Sequence, residues 1–365
     1  MSSMEYLGQK KEDLDTPVLL IDLDVFEANI QHLAHYCSDH QAAWRPHSKA
    51  HKSPQIARLL LDSGAAGITC AKLSEAEVMV EHGIPDILIA NQIVSPNKLQ
   101  RLAVLQRRAR VLATLDNLLV VEPMGAAAVA AGTMIPVLID VDIGMDRTGL
   151  EPGQPVLDLA REIGSTPGLE LDGIMGYEGH VLDLDPPQEK IRACHQALDH
   201  LLESRDLLQQ HGIPVPIVSA GGTGCYHITA AYPGITEIQA GGGIFMDNFY
   251  RKACQIHDLD FALTVLATVT SRHPGHVVVD SGFKTMTSNP APSLIGRDDL
   301  ELRYLSAEHG VLDIKAGSPG PQIGESIEFV VGYSDSTNFM HNRFLGLRHG
   351  KVEKVWELLG RGKLT

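Results

Sequence analysis

WRPHSKAHKSP, residues 44–54, decides how the rest of the chain is read. An apolar start gives way to basic residues, then to a proline suited to the first turn of the helix-patterned PQIARLLLDSG. The local reading is strand, short turn, helix, with Lys49 at the strand's tip. On an extended strand, alternation puts Arg45, His47, Lys49 and His51 on one face and Pro46 and Ser48 on the other. Crowded cationic groups repel one another, and such repulsion loosens a lysine's hold on its proton. A neutral amine is the form that attacks a carbonyl carbon, which makes Lys49 a candidate Schiff-base lysine. A solvated basic turn ahead of a helix is the competing reading of the same letters.

The same unit recurs outward from this stretch. Strand patterns run over 44–49, 67–72, 86–91, 109–116, 135–142, 170–177, 216–222 and 236–242, and helix patterns such as LSEAEVMVEHG and PNKLQRLAVLQRR fill the gaps between them. The longest helix pattern, QEKIRACHQALDHLLESRDLLQQHG, ends on Gly212 as its stop. Strands alternating with helices pair in parallel through right-handed crossovers. Eight of them predict an α/β fold, a closed (β/α)8 TIM barrel; an open doubly wound sheet is the alternative. Beyond about residue 258 the pattern becomes strand-like runs with turn punctuation and no clear helix. The expected domains are therefore a barrel over 25–258 and a C-terminal all-β domain over 259–365. VLLIDLD (18–24) adds a strand to the latter, and the polar residues 1–16 are expected to be loose.

Composition narrows the function. The 365 residues are 44% hydrophobic and carry a formal net charge of −15. That balance argues against global attraction to nucleic acid or an anionic membrane, so any anion must be held by a local site. Five scattered cysteines with no CxxC pair read as reduced thiols in a cytoplasm. The first residues show no apolar leader, and no apolar run reaches membrane-spanning length.

In a barrel the chemistry sits at the C-terminal ends of the strands. Lys49 ends the first, Arg147 follows the fifth in DIGMDRTGL, and Tyr177, Glu178, Gly179 and His180 end the sixth. Gly221, Gly222, Thr223 and Gly224 end the seventh, and Gly241 and Gly242 the eighth. Glycines turn backbone N–H groups toward an anion, and the last two loops of such barrels are the usual phosphate site. The competing reading is two glycine turns needed only for geometry. An amine at one strand end and a phosphate cradle at two others together suggest pyridoxal 5′-phosphate. Lys284, the other lysine in a suggestive setting, lies in the β-segment.

RPHSKAHKS, DIGMDRTGL, GYEGH, SAGGTGCY, VVDSGFK, SAEHGVL and YSDSTNF occur in an order that resembles the D-threonine aldolase/D-serine dehydratase family. Those are fold-type III pyridoxal-phosphate enzymes related to alanine racemase, and the resemblance runs from about residue 15 to the C-terminus. It implies that Lys49 is the Schiff-base lysine and that His47, Arg147 and Tyr177 lie near the cofactor. It also implies that Gly221, Gly222, Thr223, Gly224, Gly241 and Gly242 hold the phosphate. A homodimer, with the β-domain of one subunit closing the other's site, is implied too. The sequence departs from the pattern at the C-terminal metal motif, where Tyr333 replaces the usual histidine and Asp335 survives. Losing an imidazole ligand weakens zinc or manganese binding, and magnesium or calcium on carboxylates stays open. Where these aldolases carry a histidine base, Asp183 stands, with His180 nearby.

The expected function is a lyase cleaving the Cα–Cβ bond of a β-hydroxy-D-amino acid through an external aldimine, giving glycine and an aldehyde. Asp183 or His180 would serve as base on the hydroxyl. The alternatives are a dehydratase giving ammonia and a 2-oxo acid, a racemase, and a non-catalytic pyridoxal-phosphate carrier. The small-molecule amino-acid substrate is not fixed beyond its class.

Overall fold

Aliphatic, β-branched runs become strands and the amphipathic runs between them become helices, as their periodicities require. The computed structural model describes residues 3–365. The first strand is β1 (Val18–Asp22). Then come β2 (Ala43–Trp44), β3 (Ile68–Cys70), β4 (Asp86–Gln92), β5 (Arg110–Leu115), β6 (Ile135–Asp140), β7 (Leu169–Met175), β8 (Ile217–Ala220) and β9 (Glu237–Ile238). Among the described residues, β2 to β9 form one parallel sheet in the order β2-β9-β8-β7-β6-β5-β4-β3. Its two ends meet. A parallel bridge joins His47 to Thr69, Thr69 donates its N–H to Pro46 O at 3.0 Å, and Ala66 donates to Trp44 O at 2.7 Å. The sheet is thus a closed barrel rather than an open one.

Prolines start the helices Pro54–Asp62, Pro96–Leu105 and Pro187–Gln210, where a missing N–H costs nothing. Gly212, at φ +74°, follows the end of the last of these. Helices Leu73–Glu81, Val121–Ala131 and Gln154–Ser165 fill three more of the gaps between strands. Leu88, Leu112, Leu138 and Met175, from four adjacent strands, make a buried layer. Arg45 is buried as well, donating to Glu237 at 2.7 Å and to Asp86 at 2.5 Å.

The second sheet contains β10 (Leu263–His273), β11 (His276–Val279), β12 (Ser293–Leu294), β13 (Leu300–Leu305), β14 (Gly310–Ile314), β15 (Ser326–Val330), β16 (Arg343–Arg348) and β17 (Lys351–Glu357). Its path is β13-β14-β11-β10-β1-β16-β17, with β15 paired to β10 and β12. The N-terminal strand lies at its heart, antiparallel to β10 and parallel to β16. Leu14, Leu20, Leu266, Leu345, Leu347 and Val352 form one of its apolar clusters.

The chain divides into two compact units, one running to His32 and resuming over Gly242–Arg361, the other Leu33–Gly241 with Gly362–Thr365. The pattern reading placed the changeovers at 25 and 258. The units change within the helix Leu23–Asp39 and in the glycine run at 241–243. Aromatic packing accounts for this: Phe26 stacks on Phe245 and packs against Trp356, both with centroids 5.6 Å away.

The N-terminal stretch is more ordered than its polarity suggests. Ser3–Tyr6 is helical, Gly8 donates to Val352 O, and Lys11 donates to Gly350 O, each at 2.9 Å. Residues 1–2 lie outside the described residues. No helix is expected beyond residue 258, yet YSDSTNF contains the helical turn Ser334–Asn338. Among the described residues no helix is long and apolar enough to cross a membrane.

Candidate active site

β2 is only two residues long because Pro46 cannot donate to a ladder and the chain turns soon after it. Lys49 therefore stands on a 3₁₀ turn, Ser48–Ala50, and not on an extended strand. The expected shared face of Arg45, His47, Lys49 and His51 does not form. Arg45 goes to its two carboxylates. His47 accepts the Lys49 N–H at Nδ1 at 3.3 Å, and His51 accepts the Ser53 N–H at Nδ1 at 3.1 Å, ahead of the helix.

The expected crowd of positive charge is also dispersed. Burial, with Lys49, Lys52 and His51 close by, holds the His47 imidazole well below its usual pKa. Burial pushes His51 down to about 3. Both rings are neutral near pH 7. Lys52 pairs with the fully buried Glu75 at 2.8 Å. Lys49 itself is half-buried.

Tyr177 follows β7 and lies against the loop after β8. A Cβ at Gly222 would come within 3.1 Å of its ring, and one at Gly179 within 2.4 Å. The Arg147 guanidinium carbon is 5.5 Å from the Tyr177 ring centroid. Arg147 is exposed on a loop closed by a bridge between Val141 and Leu150. The Asp142 carboxylate inside that loop accepts the N–H groups of Gly144 and Asp146 at 3.0 and 3.1 Å. Asp140 accepts from Thr148 at 2.9 Å and from Gln92 at 2.7 Å, and burial raises its pKa. His180 is exposed with its ring over Gly144, where a Cβ would lie 2.9 Å from Nε2. His180 thus joins the group of Arg147 and Tyr177. Asp183 is exposed beyond the turn Gly179–Val181, and its carboxylate makes no hydrogen bond or ion pair among the described residues.

The glycine loops have the shape of a cradle. Gly221 sits at φ +76°, a conformation that favours glycine. A Cβ at Gly241 would strike the His47 carbonyl oxygen at 2.3 Å, so the end of the last barrel strand lies directly against the first. Gly221, however, donates its N–H to Glu178 at 3.2 Å, so it sets the loop's shape and does not offer that N–H to an anion. Gly222, Gly224 and the buried Thr223 complete the loop. Gly242 belongs to the other unit, where a Cβ would press on the Tyr250 ring at 2.6 Å.

Sequence reasoning gave no role to three residues around the loop and the lysine turn. Glu178, fully buried, also accepts from Cys225 at 3.0 Å and from Thr229. Cys225, beside Cys194 and buried, is pushed well above a normal thiol pKa and stays protonated, so it packs rather than reacts. Lys190, buried on the long helix, donates to Gly224 O at 2.6 Å. Glu75 receives both Lys52 and Ser48. An acid next to a strand-end tyrosine was a signal for Glu178. Lys190 and Glu75 look like ordinary helix-surface charges in the letters.

In the β unit, Asp335 accepts the Tyr333 hydroxyl at 2.9 Å. Asp247 accepts the N–H groups of Ser334 at 2.7 Å and Tyr250 at 2.9 Å, and burial beside Asp335 pushes it up to about 7. Among the described residues no three His, Cys, Asp or Glu side chains converge into a metal-binding group. The donors this chain offers at that place are one carboxylate and a phenol, Asp335 and Tyr333, a set poorly suited to zinc or manganese. All five cysteines are free and buried.

An alanine racemase-like barrel, with a lysine turn and a glycine cradle at the same end of its strands, is the class that this geometry defines. Residues 21–249 match the family described as alanine racemase, N-terminal domain, and residues 262–347 match a putative serine dehydratase domain. A D-threonine aldolase of Arthrobacter sp. is 37% identical over 97% of this chain and 95% of that protein. A 3-hydroxy-D-aspartate aldolase of Paracoccus denitrificans is 32% identical over 98% and 94%. The crystal structure of D-threonine aldolase from Filomicrobium marinum superposes with a TM-score of 0.95 at 34% identity, covering 98% of this chain and 99% of that one. The chain belongs to the D-threonine aldolase family of alanine racemase-like enzymes. Membership implies pyridoxal 5′-phosphate, and the left-handed turn at Gly221 followed by Gly222 and the hydroxyl of Thr223 at the end of β8 supplies the residue types that hold a phosphate.

Two outcomes follow from these local arrangements. His51 titrates near 6.5 unfolded and near 3 folded, so it stabilises fully above pH 6.5 and that contribution is lost as pH falls toward 3. His51→Asn, which keeps an acceptor for the Ser53 N–H, should flatten the pH dependence of the urea midpoint between pH 6.5 and 3; an unchanged slope would contradict the assignment. Tyr333→His should raise zinc or manganese affinity at least about tenfold by restoring an imidazole beside Asp335. Calorimetric titration that finds no gain would clear Tyr333 of blocking a metal.

Proposed function

We propose that the chain is a pyridoxal-phosphate-dependent lyase that cleaves the Cα–Cβ bond of a β-hydroxy-D-amino acid, releasing glycine and an aldehyde. The observation that carries this reading is end-to-end similarity to D-threonine aldolase in a barrel that keeps the lysine turn and glycine cradle at one rim. When bound, pyridoxal phosphate supplies an electron sink for the pair left on Cα as a bond to it breaks.

The chain's own residues divide the remaining work. Lys49 would hold the cofactor's aldehyde through Nζ, yield that position to the substrate amine, and return a proton to Cα at the end. Thr223, Gly222, Gly224 and Gly241 would seat the phosphate, with Gly221 shaping the turn. Arg147 would meet the phenolic oxygen of the ring, where its place beside Tyr177 supports the assignment. His47, neutral and bonded to the Lys49 N–H, would border the ring.

His180 is better supported than Asp183 as the base that takes the β-hydroxyl proton, because its ring packs on the Arg147 loop. The five buried free thiols are consistent with a reducing compartment such as the cytoplasm.

A dehydratase is the second reading, favoured by the match of residues 262–347 to a serine dehydratase domain. In that case Lys49 would remove the Cα proton and the hydroxyl would leave as water.

Product analysis on D- and L-β-hydroxy amino acids separates the two. Glycine plus aldehyde from the D-isomers is expected; ammonia plus a 2-oxo acid would install the dehydratase. Lys49→Ala should lose the cofactor's visible band and at least about 10³-fold in turnover, given the scale of covalent and acid–base catalysis. A borohydride-reducible adduct surviving in that variant would move the assignment to another lysine. A homodimer is part of the reading, and light scattering that gives a mass near 39.5 kDa would remove it.

A further inference from the structure

Lys49 and Lys52 stand three residues apart, on and just beyond the turn Ser48–Ala50, and both carry an amine that an aldehyde could meet. The structure separates them. Lys52 is 7% exposed, and its Nζ lies 2.8 Å from Oε2 of Glu75, a carboxylate with no exposed surface. The other oxygen of Glu75 accepts the Ser48 hydroxyl at 2.7 Å, and Oε2 also accepts the Ala71 N–H at 3.1 Å. Ser48 and Lys52 bracket Lys49. They are joined to each other as well, since Lys52 donates its N–H to Ser48 O at 2.7 Å.

We infer that Glu75 is a positioning residue that fixes the turn carrying Lys49 and withholds Lys52 from the reaction. The inference rests on the reading of Lys49 as the reacting amine. Three features of the contact argue for it. First, Lys52 adopts φ +53°, a left-handed conformation that residues with a side chain enter only when their surroundings hold them there. Second, the carboxylate comes from the helix Leu73–Glu81 of the next β/α unit. Both ends of the lysine turn are therefore fixed to a rigid element, not to a neighbouring loop.

Third, a buried lysine–carboxylate pair contributes little net stability over an apolar pair of the same size, because both ions lose their water. What such a pair does supply is a single allowed arrangement. Here that arrangement points one lysine at an acid and leaves the other, half-buried, at the strand end beside His47. Glu75 accepts from Ser48, Lys52 and Ala71, so its effect on the lysine turn passes through Ser48 and Lys52.

The test reads which lysine the cofactor's aldehyde reaches. The full-length chain, freed of cofactor, is mixed with pyridoxal 5′-phosphate, reduced with borohydride at timed intervals, and mapped by peptide mass spectrometry. Wild type should carry the label on Lys49 alone; label elsewhere would sink the reading of Lys49 itself, whatever Glu75 does. Glu75→Gln offers one acceptor oxygen and an N–H₂ where three donors converge. It should slow labelling of Lys49 by about 10- to 100-fold, the scale of an ångström-sized misplacement, and bring label onto Lys52. A purely structural role would lower the melting temperature but leave the label's address on Lys49 at an unchanged rate, and that result overturns the inference. Should Glu75→Gln fail to fold, Ser48→Ala keeps the ion pair and removes one strut. It should slow Lys49 labelling about tenfold with Lys52 still unlabelled, and an unaltered rate there overturns the inference equally.

Discussion

Thr69 reaches across to Pro46 with one N–H, and that bond closes a ring of eight parallel strands. Everything proposed for the site needs this closure. An open sheet would leave β2 and β3 at opposite edges, and the lysine turn would sit on a free edge. In the closed barrel the Gly241 backbone lies so near His47 that no Cβ fits between them. The constraint acts on the sequence twice. It requires glycine where the last strand ends, and it allows β2 to be only two residues long, since bonds beyond Trp44 continue to β9 and β3 on either side.

Closure also explains the polar residues that the barrel buries. Arg45 carries two acids, Glu237 and Asp86, and Glu237 takes the Ser219 hydroxyl besides, at 2.8 Å. Asp86 is shared with Arg110, which reaches Asp172 too. A buried charge of this kind is tolerated only when each partner is satisfied. A chain of alternating guanidinium and carboxylate groups meets that condition across five strand ends or starts, and it ties the register of β2, β4, β5, β7 and β9 together.

The fold was legible in the letters because each β/α unit repeats the same change of period, from continuous apolar runs to amphipathic spacing. Strand positions agree closely; the disagreements are physical. Residues 44–49 looked like one strand because Arg45, His47 and Lys49 alternate with Pro46 and Ser48. Alternation says nothing about Pro46, which stops the ladder, or about Glu75, which draws Ser48 and Lys52 to itself and curls the chain into a turn. The crowd of positive charge loses Arg45 and Lys52 to carboxylates for the same reason. The partners that neutralise Arg45 and Lys52 are 41 residues or more away in one case and 23 in the other, beyond any local pattern. Arg147, Tyr177 and the glycine loop were legible because strand ends in a barrel are a small set of positions. The helix Val121–Ala131 was not, because its alanines leave almost no amphipathic contrast.

The loop after β8, proposed to seat a phosphate, is held by buried side chains. Glu178 is a buried acid bonded to the Gly221 N–H, to Thr229 and to Cys225. Alone, an acid beneath a phosphate cradle would work against the phosphate. The same loop receives a buried cation from the other side, Lys190 on the Gly224 carbonyl at 2.6 Å. A lysine on the carbonyl of Gly224 and an acid on the N–H of Gly221 hold the two ends of one turn, so its shape is set by buried partners and not by its glycines alone.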